Sequence, residues 1–183
     1  DADGSDDGSS IFIGVNAGAN DDGSNNKNVG LGYQALQANT TGNYNIAIGS
    51  YALYANTTGI ENIAMGYKVL NTNTTGKKNV GIGDSALRNN TTGGYNSATG
   101  HRALSDNTTG SYNTATGSLA LYFNTTGHYN NATGYAALYK NTTGNYNTAT
   151  SLYALSFNTT GSYNTAIGRE AGRYIADGST ANT

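Results

Sequence analysis

The chain has 183 residues, of which 11% are charged, with 26 Gly, 15 Tyr and no Pro, Cys or Trp. The formal net charge is −2; without a basic block this argues against nucleic acid as the main partner, and zero cysteine excludes a disulfide framework and thiolate metal sites. The charged share is less than half the usual value of about 25%, and no apolar run approaches the ~20 residues that span a bilayer. Most of the apolar share is Ala and Tyr, so the layers of the fold must be thin, with small residues letting backbones approach.

Residues 1–10 form an acidic, Gly/Ser-rich tail. Asp1, Asp3, Asp6 and Asp7 carry carboxylates of the kind that bind Ca²⁺, but the segment lacks the full loop pattern and the distal Glu. It reads as a solvated linker, and no metal site is assigned. Starting at Asp1 and without a signal peptide, the chain reads as a processed product or a segment of something longer.

A repeat domain over 11–174 follows. Ile11-Phe12-Ile13-Gly14 is a degenerate first copy. The regular unit is N-T-T-G-x-Y-N-x-A-x-G-x-x-A-L-x-x, and its Asn-Thr-Thr-Gly motif recurs every 17 residues. One column holds Asn28, Asn45, Asn62, Asn79, Asn96, Asn113, Asn130, Asn147 and Asn164. Two residues later comes Ala or Gly, and two further on Gly, replaced once by Ser151. An Ala-Leu pair follows, replaced once by Val69-Leu70. Arg169 to Tyr174 is a degenerate last copy, and residues 175–183 are a polar tail.

Such a unit is too short for a helical hairpin or a propeller blade and suits one coil of a solenoid. The x-A-x stretch, as in Ile46-Ala47-Ile48, alternates and predicts a short strand ended by the Gly. Asn-Thr-Thr-Gly predicts a turn, with Asn in an Asx-turn and Gly free to take positive φ. The Gly-x-x-Ala-Leu stretch reads as either a second strand or one helical turn, and Glu170-Ala171-Gly172 leans towards the turn. The expectation is an all-β parallel β-solenoid, or β-roll, of about ten 17-residue coils. Its Asn column would form a ladder in which each amide donates to and accepts from its neighbours.

The residues flanking the strand Ala switch character along the chain. Early coils carry Val29/Leu31, Ile46/Ile48, Ile63/Met65 and Val80/Ile82. Later coils carry Ser97/Thr99, Thr114/Thr116, Asn131/Thr133 and Thr148/Thr150, and the last Thr165/Ile167. A dry interior would not accept eight consecutive polar replacements, since an unpaired buried hydroxyl or amide costs roughly 1–3 kcal/mol. Ala therefore points inward and its neighbours outward. Ile46, Ile48, Ile63, Met65, Val80 and Ile82 then form an apolar face that needs a cover, most simply another copy of the chain.

The strand motifs Asn45-Ile46-Ala47-Ile48-Gly49, Asn62-Ile63-Ala64-Met65-Gly66 and Asn164-Thr165-Ala166-Ile167-Gly168 resemble the head repeats of trimeric autotransporter adhesins, the YadA-like heads. The whole unit also resembles repeats of large bacterial surface proteins and phage-type tail fibres. The resemblance covers roughly Ile11 to Tyr174. It implies left-handed parallel β-rolls that trimerise, in a protein exposed on a cell or virion surface.

Other chemistries fare less well. His101 and His128 lie in different columns of different copies and read as exposed variable positions. The glycines recur at coil spacing, not as one loop before a helix, so they are no phosphate cradle. The triplets at Asn39, Asn56, Asn73, Asn90, Asn107, Asn124, Asn141 and Asn158 match the N-glycosylation acceptor pattern, although turn chemistry alone accounts for them. The exposed Thr-x-Thr array is similar to the ice-binding face of β-solenoid antifreeze proteins. No cofactor and no catalytic role are expected. The expected function is that of a structural or adhesive rod segment of an extracellular, self-associating fibre, with the trimer favoured, and ice binding is the alternative. The expected partners are further copies of the chain and glycans or a host-surface receptor.

Overall fold

A computed structural model describes residues 10–22 and 26–174. Ten three-residue strands form one parallel sheet in sequence order. They are β1 (Ile11–Ile13), β2 (Val29–Leu31), β3 (Ile46–Ile48), β4 (Ile63–Met65), β5 (Val80–Ile82), β6 (Ser97–Thr99), β7 (Thr114–Thr116), β8 (Asn131–Thr133), β9 (Thr148–Thr150) and β10 (Thr165–Ile167). Equivalent residues pair in register, as in Ile46↔Ile63, Ala47↔Ala64 and Ile48↔Met65. The protein is thus a parallel β-solenoid with one repeat per coil. At about 4.8 Å per strand, the nine steps from β1 to β10 span about 43 Å.

Each strand ends because the following residue leaves the β region. Gly49 has φ 131, and a Cβ built on it would run into the backbone of Gly66 in the next coil. A side chain is therefore excluded both by conformation and by the neighbouring coil. Ser151, at φ 109, is the one non-glycine in this column and holds a conformation that glycine adopts more easily.

The Gly-x-x-Ala-Leu stretch is neither a helical turn nor a second strand, and no helix occurs among the described residues. In the β3 coil Tyr51 and Leu53 are both left-handed, at φ 60 and 50, as is Tyr44 at φ 56. The same positions repeat this along the rod. Left-handed backbone costs an L-residue roughly 1–2 kcal/mol, and here it is compensated between coils. The Tyr51 N–H donates to Tyr33 O at 2.9 Å in the coil before, and the Leu53 N–H to Val69 O at 3.0 Å in the coil after. Backbone ladders thus continue through the corners, well beyond the three strand residues.

The interior is built from columns. The strand Ala, the corner Ala and the Leu that follows it, as in Ala47, Ala52 and Leu53, are fully buried. Eight leucines from Leu36 to Leu155 stack in one file. No coil could bury these groups alone, so stability is shared between neighbours. Volume is conserved locally. Val69 replaces the corner Ala, and Gly81 replaces the strand Ala beside it; a Cβ on Gly81 would lie 2.5 Å from Val69 Cγ1. Phe12 does the same in the first coil, where its ring occupies the space that side chains on Gly18 and Gly30 would take.

Candidate functional site

The Asn column that begins at Asn28 is a buried ladder. Asn113 shows the pattern: its Nδ2 donates to Asn96 Oδ1 at 3.2 Å and to Gly127 O at 2.8 Å, and its backbone N–H donates to the same Asn96 Oδ1 at 3.0 Å. Asn130 repeats these bonds one coil later, its Nδ2 donating to Asn113 Oδ1 at 3.2 Å. Each amide thereby satisfies a backbone N–H, a carbonyl and its neighbour, which is what makes a buried polar group tolerable.

The Asn of Asn-Thr-Thr-Gly forms a second ladder that sequence reasoning missed. Asn39, Asn56, Asn73, Asn90, Asn107, Asn124, Asn141 and Asn158 are all fully buried. Asn124 Nδ2 donates to Asn107 Oδ1 at 2.9 Å and to Gly127 O at 3.0 Å. Gly127 O therefore receives both Asn113 and Asn124, and the two ladders meet at every corner glycine. Nδ2 is also the atom that would carry an N-linked glycan. In the folded coil it has no open side, so the acceptor pattern here is the signature of an interior column. The clue available in the sequence was that this Asn never varies, whereas the residue immediately before it ranges through Ala, Thr, Asn, Asp, Phe and Lys.

Outside the core, the strand alternation holds throughout. The central residue of every strand is buried, and the flanking residues are exposed or half-buried. Ile46, Met65 and Ile82 are exposed, while Ile48, Ile63 and Val80 are half-buried. Register places these six side chains on three adjacent strands of one outer face. Ile11, Ile13 and Val15 extend the apolar surface towards the first coil, each more than half exposed. The later strands set Thr114, Thr116, Asn131, Thr133 and Thr150 on the same face, all exposed.

A column of tyrosines borders this face. Tyr95, Tyr112, Tyr129, Tyr146 and Tyr163 stack with ring centroids 4.8–5.0 Å apart and planes within 8° of parallel. Coil spacing imposes that distance, so ring faces are covered and edges and hydroxyls are displayed. In the earlier coils the column reads Tyr44, Glu61 and Lys78, with Lys78 3.8 Å from Glu61 and over the Tyr95 ring. On the other border Tyr33, Tyr51 and Tyr67 meet edge to face. Lost hydration in this cluster, and then Tyr33, push the Tyr51 phenol pKa up.

The remaining candidates stay apart. His101 is exposed, whereas His128 is half-buried and its Nδ1 accepts the Ser111 N–H at 3.0 Å. No group of three or more His, Asp or Glu is placed to hold a metal ion among the described residues. The aspartates considered for Ca²⁺, Asp1, Asp3, Asp6 and Asp7, lie outside the described residues. A shallow groove of about 330 Å³ runs beside the Asn-Thr-Thr-Gly corner, lined by Asp106, Phe123, Lys140 and three threonines. Among the described residues no helix is long and apolar enough to cross a membrane.

Comparison with protein-family models, with curated proteins and with solved structures finds no match for this chain.

Proposed function

We propose that this solenoid is a structural or adhesive rod segment of an extracellular fibre, displayed on a cell or virion surface, that self-associates through the outer face of its early strands. The observation that carries this reading is the exposed face of Ile46, Ile48, Ile63, Met65, Val80 and Ile82 on a scaffold whose interior is complete without it. Burying a large aliphatic side chain is worth roughly 1.5–3 kcal/mol, so a few from each copy favour association. A trimer is the preferred stoichiometry, on the resemblance to autotransporter head repeats. The role is mechanical: ladders hold the rod straight while the outer columns meet copies or a receptor. No catalytic step is assigned to it.

A native mass measurement tests this proposal. An oligomer, three subunits in the preferred form, is the expected result, and a monomer at micromolar concentration contradicts it. A second reading, ice binding, is favoured by one observation: Thr114, Thr116, Thr133 and Thr150 are exposed in register beside the parallel Tyr stack. A monomer that slows ice growth, and loses that effect in Thr116→Asp, would establish it.

A further inference from the structure

The column just before the buried Asn-Thr-Thr-Gly ladder changes character along the rod. It reads Ala38, Ala55, Thr72 and Asn89 in the early coils, then Asp106, Phe123, Lys140 and Phe157. The Thr column that follows the ladder Asn does not change. The later residues therefore raise a wall beside the threonines. The groove of about 330 Å³ lies between the two, lined by Asp106, Phe123, Thr125, Lys140, Thr142 and Thr159.

Its parts are held in place. The Phe123 ring meets Tyr122 and Tyr139 edge to face, at centroid distances of 4.6 and 5.0 Å, yet stays 39% exposed. Lys140 Nζ sits 4.2 Å from the centre of the Phe157 ring, which anchors a cation at one end while the side chain stays exposed. At the other end Asp106 Oδ1 accepts Asn89 Nδ2 at 3.0 Å, and a carboxylate has further lone pairs to offer. Two coil steps, about 9.6 Å, separate the carboxylate and ammonium positions, with Phe123 between them. On the threonine side, Thr125 Oγ1 donates to Thr142 O at 3.1 Å and Thr142 Oγ1 to Thr159 O at 3.0 Å. Their hydrogens are committed, so these oxygens are left as acceptors.

We propose that this groove binds an acidic pyranose, a sugar of the uronic acid class. Such a ring lays its C–H face on Phe123. Its hydroxyls donate to the threonine oxygens and to Asp106, and its carboxylate pairs with Lys140. A purely apolar anion would set no donor against Asp106, and a neutral sugar would set no charge against Lys140. The early coils, with Ala38 and Ala55 in place of the wall, lack both the ring and the charges. This inference rests on the adhesive half of the proposed function and names its ligand. Binding is read residue by residue on one rod, so its failure is distinct from finding a wild-type monomer in the mass measurement.

The test follows backbone amide shifts of the full chain by NMR during titration with the methyl glycoside of glucuronic acid, the methyl glycoside of glucose, and benzoate. The expected result is saturable binding of the glucuronide, with the largest shifts at Thr125, Lys140 and Thr142 and none in β2–β4. The glucoside and benzoate are each expected to bind at least tenfold more weakly. Lys140→Met keeps the aliphatic stem and is expected to lower affinity for the glucuronide to that of the glucoside, while Phe123→Ala lowers affinity for both sugars. Unchanged Tm and an unchanged Asn-ladder amide spectrum show that both variants remain folded. No saturable binding, equal affinity for the two sugars, benzoate binding as tightly as the glucuronide, or full affinity in Lys140→Met would each overturn the proposal.

Discussion

The coils of β2–β5 and those of β6–β9 share one interior and differ outside. Both halves stack Leu, Ala and two Asn columns with almost no exposed area. Their outer strand positions are Val, Ile, Leu and Met in the first half and Ser, Thr and Asn in the second. The bordering column changes with them, from Lys27, Tyr44, Glu61 and Lys78 to the stacked Tyr95, Tyr112, Tyr129 and Tyr146. Because the backbone ladders and inner columns carry the fold, the outer columns can change along one rod without changing its shape.

This division of labour can be broken most severely from inside. Asn113→Ala removes one amide and leaves the buried Asn130 N–H without its acceptor, while Gly127 O keeps Asn124 Nδ2 and Asn96 Oδ1 keeps the residue 113 N–H. The expected loss is about 1–3 kcal/mol, the cost of one buried unsatisfied group. Ser118→Ala, at a half-buried variable position, is expected to change stability by less than about 0.5 kcal/mol. Chemical denaturation of both variants checks the pair, and equal midpoints would remove the ladder from the account.

Packing compensation gives the next effect. Gly81→Ala forces a methyl against Val69 and is expected to cost about 1–3 kcal/mol. Adding Val69→Ala restores the composition of the other coils and should recover most of that loss. The double-mutant cycle then shows a coupling of about 1 kcal/mol or more, whereas additive effects would mean the two sites do not share a cavity. A smaller change, of opposite sign, is expected at Ser151. Ser151→Gly relieves a φ of 109 and should raise stability by about 1 kcal/mol, visible as a higher Tm.

Much of this architecture was legible in the residues. The gapless period and the Ile46-Ala47-Ile48 alternation gave coil length, strand position and the inward Ala, because a two-residue period has only two faces to assign. The corners were not legible. Tyr51 and Leu53 are ordinary residues in left-handed backbone, held there by bonds to other coils, and no local preference signals that. Gly-x-x-Ala-Leu read as either a second strand or one helical turn, because a local pattern speaks for the isolated segment alone. Asn124 read as a turn residue or sugar acceptor since its partner, Asn107, lies a whole coil away. The outer face was legible as apolar, through residues such as Ile48, but the residues of one chain do not say what meets it.

The central claim is that the inner columns make the rod and the apolar outer half assembles it. Sedimentation of the wild type beside Ile48→Asp and Thr116→Asp tests it most directly. Ile48→Asp places a carboxylate in every copy of the apolar contact, where desolvation and like charge act together. The account predicts an oligomeric wild type, dissociation to folded monomers by Ile48→Asp, and a smaller effect of Thr116→Asp. A wild-type monomer, or an oligomer that Ile48→Asp leaves intact, would contradict it.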